Sequence, residues 1–90
     1  MTLRIHPLHP RRIAENQAWW KGKSQEYPFH AEAPTSTKPN VVDEALGSLA
    51  GKSGIVSVSL RTGWRIYGFK TREQRDLFIT QFNAIKVGDA

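Results

Sequence analysis

The chain contains no cysteine, which excludes disulfides, zinc–thiolate sites, iron–sulfur clusters and thiol catalysis. Nowhere does an apolar run approach the roughly 18 residues of a membrane span. Residues 1–10 lack the apolar centre of a signal peptide. The expectation is a cytoplasmic protein with no membrane partner. Length is also in short supply. Ninety residues make one domain, 1–90, that buries only roughly 60–65% of its unfolded surface. Most enzyme architectures with two packed layers around a deep cleft are too large for it.

Acidic residues are outnumbered: 13 Lys and Arg stand against 8 Asp and Glu, a formal net charge of +5. The excess is uneven, at +3 over residues 1–26, −1 over 27–60 and +3 over 61–90. Two basic blocks around a near-neutral middle suit nucleic acid, an acidic membrane surface or an acidic protein. A charge of this size also serves solubility alone.

Residues 1–10 read as an N-terminal arm, broken by Pro7 and Pro10. Pro10 suits a first helical position, where its missing N–H is not needed. Ile13, Gln17 and Trp20, with Ala14 and Ala18 beside them, predict a helix over 11–21 that stops at Gly22. Residues 22–39 form a Pro-containing loop, in which Tyr27, Phe29 and Ala31 suggest a short edge strand over 27–31. Pro28 confines such a strand to an edge or a strand start. Asn40 with Asp43 suggests a capping box, and Val42, Ala45, Leu46 and Leu49 give the spacing of a helix over 41–50. Val56, Val58 and Leu60 alternate with Ser57 and Ser59, Thr62-Gly63 turns the chain, and a β-rich segment runs from Trp64 to Phe69. Thr71 and Gln74 then cap a helix over 72–84 lined by Leu77, Phe78, Phe82 and Ile85. The fold class is α+β: a small antiparallel sheet around a 55–70 hairpin packed against helices, with a ferredoxin-like order as the leading topology. The 11–21 helix either joins that layer or covers the opposite face.

Hairpin register decides what the surface displays. A three-residue loop with Gly63 left-handed puts Leu60 opposite Trp64, Val58 opposite Ile66 and Val56 opposite Gly68. Val56, Val58, Leu60, Trp64 and Ile66 then face the helices. Ser57, Ser59, Arg65, Tyr67 and Phe69 share the other face. A strict two-residue loop slips the pairing by one and leaves Trp64 and Ile66 opposite that apolar set. The first register is preferred because it gathers aliphatic residues and Trp on one side.

The chain offers little to a catalyst. Gly47 to Ser53 imitates a phosphate loop, but it has three residues between its glycines where four are needed, and it follows a helix. His6 and His9 are three apart with prolines beside them, and His30 is the remaining histidine, so no metal site is expected. No serine sits in a nucleophile elbow. Asp43, Glu44, Glu73 and Asp76 are explained by helix starts. The protein is expected to be non-enzymatic and without a cofactor.

The segment Arg65-Ile66-Tyr67-Gly68-Phe69 carries the functional expectation. In the preferred register Arg65, Tyr67 and Phe69 project together, suited to stacking on bases and neutralising phosphate. Arg61, Lys70, Arg72 and Arg75 rim them as phosphate contacts. Tyr67 and Phe69 packing under the 11–21 helix is the competing arrangement. Arg65, Tyr67, Gly68 and Phe69 resemble four of eight positions of the RNP1 strand of the RNA recognition motif. Ile66, Lys70 and Arg72 depart where that motif has glycine, an aliphatic and an aromatic residue. The resemblance implies a first strand from 27–31 and a short fourth strand from 84–87. The expected partner is RNA or single-stranded DNA. The alternative is a small interaction or inhibitor domain, of the kind mobile elements carry, that binds an acidic protein through Trp19, Tyr27 and Phe29. The chain itself is expected to be a monomer, or a homodimer joined at hairpin edges.

Overall fold

The structure is a computed structural model that describes residues 9–50 and 55–88. In chain order the elements are α1 (Pro10–Glu26), β1 (Phe29–Pro34), α2 (Pro39–Ala50), β2 (Ile55–Arg61), β3 (Trp64–Phe69), α3 (Arg72–Phe82) and β4 (Ile85–Val87). The strands form one sheet in the order β2-β3-β1-β4, with every neighbouring pair antiparallel. From β1 onward this is the β-α-β-β-α-β order of a ferredoxin-like arrangement, preceded by one additional helix.

α2 and α3 cover one sheet face. Alternation along the strands sends Ala31 and Ala33 of β1 and Tyr67 and Phe69 of β3 to that side. They meet Val42 and Leu46 of α2 and Phe78 of α3 in the main core. Ala31 pairs with Tyr67 and leaves that ring room, while Ala33 pairs with Arg65. Phe78 then touches both rings, with centroids 4.7 Å from Tyr67 and 5.2 Å from Phe69.

α1 covers the opposite face. Trp20 is its buried residue; its ring lies 5.0 Å from that of His30 and crosses Gly68. A Cβ at Gly68 would sit 2.9 Å from Tyr27 Cβ, 3.0 Å from Trp20 Cη2 and 3.2 Å from Val56 Cγ2. Glycine is required there because helix and sheet approach too closely for a side chain.

The local readings divide on tertiary grounds. α1 begins at Pro10, as its N1 preference suggests, but runs through Gly22 to Glu26. Gly22 has open space around it, and the helix ends where Pro28 restricts Tyr27. Its inward stripe is Ile13, Asn16, Trp20, Lys23 and Tyr27, while Ala14, Gln17 and Ala18 are exposed. α2 begins at Pro39, two residues before the expected start, with the Lys38 carbonyl accepting from Val41 and Val42. Proline's fixed φ suits that first position and displaces Asn40 as the cap. Ala45 is exposed. Thr71 does cap α3, its hydroxyl accepting from the Gln74 N–H at 3.2 Å. Asn83, left-handed at φ 53, stops that helix at Phe82 and frees Ile85 for β4. The edge strand expected over 27–31 is instead β1, an interior strand between β3 and β4, because Pro28 stands just before it. The arm preceding His9, and the part of the 47–53 segment after Ala50, lie outside the described residues.

Candidate ligand-binding surfaces

The hairpin closes by a compromise between the two registers. Val58 pairs with Ile66 and Val56 with Gly68, as in the preferred pairing, but Arg61 pairs with Trp64 around a two-residue Thr62-Gly63 turn. A bulge between Val58 and Arg61 absorbs the difference. Gly63 is left-handed at φ 84.

Arg65, Tyr67 and Phe69 do share a face, with Ser57 across from Tyr67. That face is the core. Tyr67 is 1% and Phe69 0% exposed, so neither ring is available to stack on a base. The expected platform does not form. Tyr67 opposite Ala31 and Phe69 opposite Phe29 pack against Phe78 and make the better interior, and α1 takes the aliphatic side instead. The Tyr67 hydroxyl donates to the Thr37 carbonyl at 3.2 Å, and burial raises its pKa above the ordinary value, with Arg65 opposing and Asp43 adding to the shift. Arg65 is held by Ser57, its Nε donating to Oγ at 2.9 Å. Arg75 is also enclosed, at 2% exposure, with Nε donating to Asp76 at 2.8 Å. Arg75 is therefore enclosed in the fold, and Arg65, half-buried, is engaged with Ser57.

Where β1 begins and β3 ends, the chain builds a different cluster. Lys70 Nζ lies 5.3 Å from the Tyr27 ring centroid. Arg72 and Arg75 each place Cζ 5.8 Å from the Phe29 centroid. These separations are within cation–π range. Tyr27 and Phe29 are half-buried, whereas Lys70 and Arg72 are exposed. Among the described residues neither cation is in an ion pair. This corner unites two residues expected to bind nucleic acid with two expected to bind protein. What the sequence hid was their meeting, because Tyr27 and Phe29 reach Lys70 and Arg72 only through the β1–β3 pairing of Phe29 with Phe69.

Arg61 sits at the hairpin end of the sheet. Its Nη2 and Nε donate to the two Glu32 carboxylate oxygens at 2.9 and 3.2 Å, and its Cζ lies 4.7 Å above the Trp64 ring. The Glu32 hydrogen bond raises the Arg61 pKa further. Trp19 is 44% exposed on α1, away from Trp20, its buried neighbour.

Among the described residues no three His, Asp or Glu side chains gather as a metal site, and no helix is long and apolar enough to cross a membrane. The chain matches no protein-family model, no curated protein and no solved structure.

Proposed function

We propose that the chain is a small, non-enzymatic module that binds single-stranded nucleic acid through the corner formed by Tyr27, Phe29, Lys70 and Arg72. The observation that carries this reading is the pair of exposed cations, each resting on an aromatic face and neither paired with a carboxylate. The ring contact limits how far each cation wanders, so less freedom is lost when a phosphate is bound. Their polar N–H groups are left to the ligand. The first turn of α3 adds its positive dipole end, partly offset by Glu73. The net charge of +5 draws a polyanion toward the surface from a distance.

Affinity for single strands should fall with salt at a slope of about −0.7 per phosphate engaged. Fluorescence anisotropy with a ten-nucleotide oligothymidylate at several salt concentrations measures it. The double substitution Lys70→Ala, Arg72→Ala should weaken binding and flatten the slope by about 1.4. An unchanged affinity in that variant would place the site elsewhere. A second reading, an acidic protein partner, is favoured by the exposed indole of Trp19, since exposed tryptophan is a frequent interface anchor. Recovery of one stoichiometric protein that is lost on Trp19→Ala, with no nucleic acid copurifying, would select it.

A further inference from the structure

We propose that Arg61, laid on Trp64 and clamped by Glu32, is a stacking platform for an unpaired base of the bound strand. The inference rests on the nucleic-acid reading above and adds a second, chemically different contact to it. Sequence alone marks Arg61 as a phosphate ligand, but its charge is already offset by Glu32, which engages two of its nitrogens. What remains is its plane. Its Cζ lies over the indole, 4.7 Å from the ring centroid. The side chain is nevertheless 56% exposed, which leaves much of it open to a ligand.

Stability alone gives little reason for this arrangement. Exposed ion pairs contribute little to stability, and ordering a long arginine side chain opposes that gain. A flat, oriented guanidinium is, in contrast, a known surface for an unpaired base. Its surroundings fit the same role. Ile85 lies opposite Glu32 in the β1–β4 pairing and is 52% exposed, supplying an apolar neighbour for a base or sugar. Lys70 directly follows β3, six residues after Trp64, a span of about 20 Å. A strand of several nucleotides therefore reaches both the phosphate corner and the platform.

Two ten-unit oligomers with equal phosphate counts separate the contacts: oligothymidylate and an abasic spacer of the same length, both followed by anisotropy. The native protein should favour the base-bearing oligomer by at least about fivefold. Arg61→Lys keeps the charge and loses the plane, so it should bring that ratio close to one with abasic binding little changed. Urea unfolding confirms that this variant is folded. Glu32→Gln releases the guanidinium to phosphate, lowering base preference and steepening the salt slope by about 0.7. Lys70→Ala with Arg72→Ala should weaken both oligomers alike and leave the ratio intact. Equal binding of the two oligomers by the native protein, or a ratio untouched by Arg61→Lys, overturns the platform while the phosphate corner stands. Failure to bind either oligomer overturns both.

Discussion

Gly68→Ala tests how α1 is seated on the sheet. The added methyl would lie 2.9 Å from Tyr27 Cβ, 3.0 Å from Trp20 Cη2 and 3.2 Å from Val56 Cγ2. Tyr27 Cβ moves only with its backbone, and the Trp20 ring is rigid and buried, so neither yields freely. Overpacking of this kind costs about 1–3 kcal/mol. Replacing glycine also removes freedom from the unfolded chain, which returns about 0.4–1 kcal/mol. The net expectation is a loss of about 1.5 kcal/mol, or roughly 6–12 °C in Tm for a domain of this size. Urea unfolding followed by tryptophan fluorescence measures it, with the midpoint shifting and the slope unchanged. Gly22→Ala is the internal control. That glycine lies inside α1 with no neighbour within 4 Å, so alanine should stabilise by about 0.5–1 kcal/mol. If Gly68→Ala proved as stable as the native chain, α1 would not rest on β3 as described.

Other substitutions probe the opposite face and the helix caps. Phe78→Ala removes the ring shared by Tyr67 and Phe69 and should cost about 3–5 kcal/mol, read as loss of a cooperative urea transition. Thr71→Ala deletes the α3 cap and should cost about 1 kcal/mol by the same assay. For Tyr67, burial holds the phenol pKa above its ordinary value of 10.0. The folded chain then keeps its proton after the unfolded chain has lost it, so this contribution is complete below pH 10 and disappears as pH rises further. Tyr67→Phe loses the hydrogen bond to Thr37, about 0.5–1.5 kcal/mol near neutrality. Its stability deficit should shrink as pH rises above 10, and a deficit that stays constant there would contradict the assignment.

Elements whose identity is local were legible in the sequence. Alternation and a turn glycine define β2 and β3, and Thr71 with Gln74 marks the start of α3. Which face of the hairpin would be the core was not legible. Val56, Val58 and Ile66 on one side and Tyr67 and Phe69 on the other are both apolar enough to be buried. The choice was made more than thirty residues away, by Ala31, whose small size beside Tyr67 matters only once β1 pairs with β3. The same long-range pairing explains the candidate site. Lys70 and Arg72 were recognisable as exposed cations, but the rings beneath them come from the far side of the chain. The partner of Arg61 was hidden for a related reason, since its carboxylate, Glu32, lies 29 residues away.

The bond from Asn16 Nδ2 to the Ser59 carbonyl, at 2.7 Å, gives α1 a protective duty as well as a packing one. β2 is the outermost strand on its side of the sheet, and from Ile55 to Leu60 it bears no charge and no proline. Such a rim invites strand-to-strand recruitment between molecules unless something shields it. A fragment shorn of its first helix would therefore be expected to self-associate into insoluble β-rich material, even with its phenylalanine-lined interior intact.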